Sequence, residues 1–195
     1  MRVSLIKHGT GNTHSVHLAL ERLGVLCLIT DNFDEISSSD KVIFPGVGEA
    51  STTMRNLEAS GLDKLIPTLK QPVLGICLGM QLFCRYSEEN NTACLGIFPQ
   101  IVRKFPSKFK VPHAGWNTIS AGQGPLFKGV REEAYVYFVH SYYVEQGMHE
   151  IACTDYCVTF SAAINSKNFF GVQFHPEKSG ETGSLILKNF LELEL

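Results

Sequence analysis

The sequence is poor in the features that mark a chain for nucleic acid, a membrane or the cell exterior. Only 18% of its 195 residues are charged, and 17 Lys and Arg against 19 Asp and Glu leave a formal net charge of −2. Such a balance provides no basic field to draw in nucleic acid or an anionic lipid surface. No apolar run approaches the ~18 residues that a membrane span requires. The amino terminus, Met1-Arg2-Val3-Ser4-Leu5-Ile6-Lys7-His8, reaches a charge after four mostly apolar residues and lacks a small-residue cleavage site, so it does not read as a secretion signal. The six cysteines, Cys27, Cys77, Cys84, Cys94, Cys153 and Cys157, show no C-x-x-C pair. That scatter fits reduced thiols in a cytoplasmic enzyme rather than a disulfide framework.

Signatures of metal and nucleotide binding are missing too. Cys153 and Cys157 have no spaced histidine partner, and His8, His14 and His17 lie in a segment without cysteine. Neither Gly9-Thr10-Gly11 nor Gly46-Val47-Gly48 continues to the third glycine of a dinucleotide loop, and there is no P-loop pattern. No metal and no cofactor are expected.

What is present is an ample core: 44% of the residues are hydrophobic. At this size a chain buries about 70% of its unfolded surface, and one domain spanning residues 1–195 is expected. Strand-like runs at Val3–Ile6, Val25–Thr30, Lys41–Pro45 and Pro72–Ile76 alternate with helical patterns. Asn12-Thr13 can cap a helix carrying Val16, Leu20 and Leu23 and ending at Gly24; a second helical zone runs from Ala50 to Leu69, broken at Gly61, and a third follows Cys77. This alternation predicts a single-domain α/β fold with a central, mostly parallel mixed sheet flanked by helices. The second half is richer in strands, at Gly96–Phe105, Ala134–Val144, Cys157–Ile164 and Phe169–His175, read as antiparallel or mixed additions to the same sheet. A closing helix is expected over Ser184–Glu192, and Arg103, Lys104, Lys108 and Lys110 read as an exposed basic hairpin.

The sharpest chemical signal is Gly75-Ile76-Cys77-Leu78-Gly79, which follows the strand Pro72-Val73-Leu74 and leads into a helix. It has the form of a nucleophile elbow with cysteine in place of serine. Flanking glycines remove side chains that would clash at so tight a reversal, and the helix N-terminus favours the thiolate. The Leu78 amide can then donate to an oxyanion. A cysteine buried in a small-residue turn is the plain alternative. Downstream, Phe174-His175-Pro176-Glu177 follows an apolar strand. Extended backbone would put His175 and Glu177 on one side, the imidazole as general base and the carboxylate fixing its tautomer. Pro45-Gly46-Val47-Gly48, at the end of another strand, is a candidate for a second oxyanion donor.

Gly75-Ile76-Cys77-Leu78-Gly79-Met80-Gln81 together with Phe174-His175-Pro176-Glu177 closely resembles the class I glutamine amidotransferases. Gly9-Thr10-Gly11-Asn12, Val111-Pro112-His113-Ala114-Gly115-Trp116-Asn117 and Phe138-Val139-His140-Ser141-Tyr142 narrow the resemblance to the glutaminase subunits of imidazole glycerol phosphate synthases, in histidine biosynthesis. The resemblance implies that Cys77 attacks glutamine, His175 moves the proton and Glu177 orients His175. It places Val47 and Leu78 at the oxyanion, and Gln81, Glu89, His140, Ser141 and Tyr142 around bound L-glutamine. It further implies a heterodimer, in which ammonia passes to a (β/α)8-barrel cyclase subunit, with Asn12, Trp116 and Asn117 on the docking face. Two readings stay open beside it: a glutaminase serving another ammonia-dependent synthase, and a non-catalytic partner-binding module. The chain departs from the family pattern at Lys7-His8, where an acid and an aromatic or small residue are usual.

Overall fold

The computed structural model describes residues 1–9, 13–120 and 122–194. Its first half alternates strand and helix as the sequence predicts: β1 (Val3–Ile6), α1 (Thr13–Arg22), β2 (Cys27–Thr30), α2 (Phe33–Ser37), β3 (Lys41–Gly46), α3 (Ala50–Ser60), α4 (Leu62–Leu65), β4 (Val73–Cys77) and α5 (Leu78–Phe83). Gly61, at φ 77°, ends α3 in the left-handed conformation that glycine adopts without penalty. The strands β1, β3 and β4 are buried at every position. Alternate residues feed opposite faces, so Ile43 and Leu74 join one core while Val42, Phe44 and Val73 join the other.

The second half contributes β5 (Tyr86–Ser87), β6 (Thr92–Ala93), β7 (Ile101–Lys104), β8 (His113–Ile119), β9 (Ala134–His140), β10 (Tyr142–Val144), β11 (Glu150–Tyr156), β12 (Val158–Ser166), β13 (Phe169–Val172) and α6 (Gly180–Leu191). Among the described residues the main sheet runs β2-β1-β3-β4-β13-β12-β10-β7-β5-β6, with β11 paired to β12. Its strands are parallel from β2 through β13 and antiparallel from β13 to β12 to β10. Helices cover both faces, as an α/β fold demands.

Several expected elements differ in detail. The run Ala134–Val144 is two strands: β9 pairs with β8 in a separate two-stranded sheet, and β10 pairs with β7 in the main one. Ser141 is the break, and its carbonyl accepts from the Phe105 N–H (3.2 Å). The expected strand Gly96–Phe105 shortens to β7, because Gly96 sits at φ 67° and Pro99 cannot donate to a ladder. Likewise Phe169–His175 stops at Val172, and Pro176–Lys178 forms a 3-10 turn. Helix α6 begins four residues earlier than expected, at Gly180. The basic stretch is not a hairpin. Arg103 lies on β7 with its guanidinium between Glu88 and Glu145, both at 3.0 Å, so its charge is neutralised within the fold.

Candidate active site

Strand β4 runs directly into α5, and Cys77 at the corner has φ 53° and ψ −107°. For a residue with a side chain such a conformation costs about 1–3 kcal/mol and persists only where the surroundings enforce it. The enforcement is visible in the glycines. A Cβ on Gly79 would lie 2.0 Å from the Phe44 carbonyl oxygen, and one on Gly46 would lie 2.6 Å from the Gly79 nitrogen. The absence of these two side chains lets α5 press against β3, which brings the Gly46-Val47-Gly48 segment beside the cysteine.

Cys77 opens into a cavity of about 400 Å³ whose walls include Val47, Gly48, Leu78, Gln81, Glu89, Pro112, Val139, His140, Ser141 and Tyr142. That volume falls in the range of about 300–1,000 Å³ usual for small-molecule clefts. All eight residues expected at the nucleophile, the oxyanion and the substrate therefore meet in one place. Leu78 is the first residue of α5, so its N–H has no acceptor inside the helix. Glu89, rather than its neighbour Glu88, faces the cavity; its Oε2 accepts from the Ala50 N–H (2.7 Å) at the start of α3. Burial raises its pKa above the ordinary carboxylate value.

His175 sits behind the cysteine, 1% exposed, with Nδ1 at 2.8 Å from Glu177 Oε1. The pairing arises from the 3-10 turn at Pro176–Lys178 and not from the strand alternation expected: the turn, started by a proline that cannot continue a ladder, folds the carboxylate back under the ring. Nδ1–H thus donates to Glu177, which leaves Nε2 on the side of the Cys77 sulfur. Burial lowers the basicity of the ring, but its interactions with Cys77 and Glu177, through charge and hydrogen bonding, more than offset it and raise the His175 pKa to about 10. The arrangement favours an imidazolium beside the sulfur, with its Nε2 proton available for transfer.

His140 has both ring nitrogens engaged. Nδ1–H donates to the Tyr142 carbonyl (2.7 Å), which leaves Nε2 to accept from His113 Nδ1–H (3.0 Å). His113 stacks on Tyr156, with ring centroids 4.0 Å apart. His140 therefore shapes the cavity wall through its ring rather than by a spare donor. Burial lowers the His140 pKa to about 3 and the His113 pKa to about 4, so both stay neutral in the folded state. Unfolded, each would titrate near 6.5. The unfolded chain therefore binds more protons below pH ~6.5, and the stability that depends on neutral rings declines as the pH falls toward 4. Thermal unfolding between pH 7 and 5 should show this loss, and His113→Phe should flatten the slope.

The expected docking residues separate. Trp116 is 55% exposed, edge-on to Tyr137. The register of β8 and β9 sets Trp116 opposite Tyr137, Ala114 opposite Val139 and Thr118 opposite Tyr135, so the exposed Tyr135 and Val139 share its face. Asn117 is half-buried and tied down, its Nδ2 donating to the Asp155 carbonyl (3.0 Å) and its Oδ1 accepting from the Thr118 N–H (2.8 Å). Both bonds hold the side chain in one orientation beside the outer face of the hairpin. Asn12 lies outside the described residues. Of the Lys7-His8 departure, Lys7 is exposed whereas His8 is buried, and its Nε2–H donates to the Pro45 carbonyl (2.7 Å) at the head of the Val47 segment.

One residue at the site is not marked by any sequence motif. Gln173 is fully buried and its Nε2 stands 3.5 Å from Cys77 Sγ. Its position two residues before His175, within the run expected to be a strand, is the signal that points it toward the same site. Among the described residues no helix is long and apolar enough to cross a membrane, and no group of three or more His, Cys, Asp or Glu is placed to hold a metal ion.

An elbow cysteine, a His-Glu pair and the facing Gly46-Val47-Gly48 segment on this sheet define a class: the chain belongs to the class I glutamine amidotransferases, whose family description, Glutamine amidotransferase class-I, fits residues 4–193. A solved structure of a glutamine amidotransferase superposes with a TM-score of 0.77 at 16% identity, covering 97% of each chain. The structure of PurLQS from Thermotoga maritima gives 0.72 at 17% identity, again over 97% of each chain. At those identities the likeness concerns the fold. Within the class, the chain belongs with the imidazole glycerol phosphate synthase subunits called HisH. It is 58% identical to the protein of that name from Bacteroides fragilis, over 99% of this chain and 100% of the other. To that of Pasteurella multocida it is 47% identical, over 97% of each.

Proposed function

We propose that the chain is the glutaminase subunit of an imidazole glycerol phosphate synthase, hydrolysing L-glutamine and delivering ammonia to a (β/α)8-barrel cyclase subunit. The observation that carries the reading is the strained Cys77 at the mouth of a cavity, backed by a buried His175–Glu177 pair. Affiliation with HisH subunits at 47–58% identity supports the pathway.

In this reading the Cys77 sulfur adds to the side-chain amide carbon of glutamine. The carbonyl oxygen takes up the electron pair, facing the main-chain N–H groups of Val47 and Leu78. Collapse of that intermediate breaks the carbon–nitrogen bond as His175 Nε2–H protonates the departing nitrogen. Ammonia leaves and a γ-glutamyl thioester remains. His175 then accepts a proton from water, whose oxygen attacks the thioester; the sulfur departs with its electron pair and glutamate is released. Glu177 holds Nδ1–H throughout, which keeps Nε2 aimed at the sulfur. Gln81, Glu89, His140, Ser141 and Tyr142 form the walls that hold the amino acid.

Ammonia released into water would be protonated and lost to the acceptor, so the site needs a partner seated over it. The exposed face of β8 and β9 suits that role, because Trp116, Tyr135 and Val139 lie together there and Val139 also lines the cavity. The same hairpin is bonded to the His175 turn: the Tyr137 carbonyl accepts from the His175 N–H (2.8 Å) and the Tyr137 N–H donates to Ser179 Oγ (2.9 Å). Pressure on the hairpin therefore reaches the imidazole. Trp116→Ala should weaken binding to the cyclase by roughly 30-fold or more, in line with the truncation of an interfacial tryptophan, while thermal stability of the free subunit stays unchanged. The function itself is tested by glutamate release, measured alone and with the cyclase and its nucleotide ligand. Stimulation by both is expected; hydrolysis indifferent to the cyclase would point to another acceptor synthase.

A further inference from the structure

Gln173 and Gln81 form a chain of amides beneath the nucleophile. Gln81 Nε2 spends its two protons on the Tyr142 carbonyl (2.8 Å) and on Gln173 Oε1 (2.9 Å). That second bond decides how Gln173 points. With its oxygen required as acceptor for Gln81, its NH2 group is turned to the other side, where the Cys77 sulfur lies 3.5 Å away. The reverse orientation would set one NH2 group against another and the amide oxygen against the sulfur lone pairs. Gln173 is fully buried and Gln81 is 4% exposed, so water cannot substitute for either partner. The Gln173 backbone is fixed as well, its N–H donating to the Ala162 carbonyl (2.8 Å) on β12.

We propose that Gln173 is a positioning residue of the glutaminase reaction, its amide donating to the Cys77 sulfur. The inference rests on the function proposed above and deepens it. A donor to sulfur favours the charged over the protonated thiol, and from its fixed position it selects one rotamer of the side chain. It acts twice in the cycle. Before attack it holds the sulfur beside the ring of His175, and at the end it stabilises the electron pair that returns to sulfur as water displaces it from the thioester. Because the chain of amides ends on the Tyr142 carbonyl, the sulfur is anchored to the same wall that holds the substrate.

Two variants of the full chain, in complex with the cyclase, test this. Gln173→Leu removes the amide. Gln173→Glu keeps the length and the acceptor for Gln81 but places no NH2 against the sulfur. For both, kcat for glutamate release should fall about 10- to 100-fold, as befits a hydrogen bond to a charged group, with KM for glutamine within about twofold of the parent. The decisive readout needs no turnover: alkylation of Cys77 by iodoacetamide, followed by peptide mass across pH. The pH of half-maximal alkylation should move up by about one unit in both variants, a tenfold change in thiolate population. A merely structural role would lower thermal stability without moving that profile. Should Gln173→Leu fail to fold, Gln173→Met, unbranched and with neither donor nor charge, decides in its place, because the carboxylate of Gln173→Glu also repels the thiolate. An alkylation profile coincident with the parent, or a rise in KM with kcat intact, overturns the proposal. Absence of glutamine hydrolysis by the parent complex would instead overturn the proposed function, and the alkylation result would still stand on its own.

Discussion

Cys77→Ala should lose glutamate formation by about 10⁴-fold or more, the scale seen when a nucleophile that works as one unit with its base is removed. The other members of the site cannot compensate. His175 has its Nδ1 held by Glu177 and its other nitrogen on the side of the Cys77 sulfur, so the base serves that sulfur and not the hydroxyls of Ser141 or Tyr142 elsewhere on the cavity wall. Cys84, the other buried thiol, lies in the core, where burial pushes its pKa well up and leaves it inert. Binding to the proposed cyclase partner should survive in the variant, because Cys77 opens into the cavity whereas Trp116 and Tyr135 stand on the outer hairpin face. Steady-state glutamate assays and sedimentation of the complex read the two outcomes separately. Retained hydrolysis would remove Cys77 from its assigned role, and loss of the complex would show that the elbow and the docking face are one structure.

The second large effect falls on folding. Gly79→Ala places a methyl group 2.0 Å from the Phe44 carbonyl oxygen, a backbone atom on a fully buried strand that has nowhere to retreat. Relief requires α5 to lift from β3, which separates Leu78 from Val47 and relaxes Cys77 from its positive φ. The cost should be about 3 kcal/mol or more, the upper end for overpacking a core. At this chain length that corresponds to a fall in Tm of about 6–12 °C. Catalysis should suffer beyond the stability loss, since the proposed oxyanion donors, the Val47 and Leu78 amides, move apart. Calorimetry checks the first part, and glutamate release measured below the lowered Tm checks the second. A variant of parental stability would mean that the elbow packs more loosely than these contacts imply.

How much of this can be read from the residues depends on whether the physics is local. The elbow is legible because Gly75-Ile76-Cys77-Leu78-Gly79 encodes its own sterics: glycine where a Cβ would collide, a thiol at the corner and a helix beyond. The buried parallel strands are legible because strands covered on both faces are continuous apolar runs. Strand β8 escapes pattern reading because His113, Gly115 and Asn117 interrupt any alternation, and its partner β9 reads as continuous with β10 because nothing in the local sequence marks Ser141 as the point where the chain changes sheets. The His175–Glu177 contact follows from the motif but through a different geometry, a proline-started 3-10 turn in place of a strand. Asn117 enters the docking face through the family resemblance of its segment, whereas its bond to the Asp155 carbonyl, 38 positions away, has no local signal in the sequence. Gln173 has only its place two residues before His175 to mark it, because its contact is tertiary, with a sulfur 96 positions away.

The proposed function makes the Cys77 sulfur the reaction centre, and a glutamine-mimicking electrophile tests that without intermediary. The complex would be incubated with a γ-chloroketone or diazoketone analogue of glutamine, then digested and mapped by mass spectrometry alongside a glutamate assay. A single adduct on Cys77, rising in step with the loss of glutamate release and prevented by excess glutamine, is the expected result. Inactivation with Cys77 unmodified, or an adduct confined to Cys27, Cys94, Cys153 or Cys157, would contradict it.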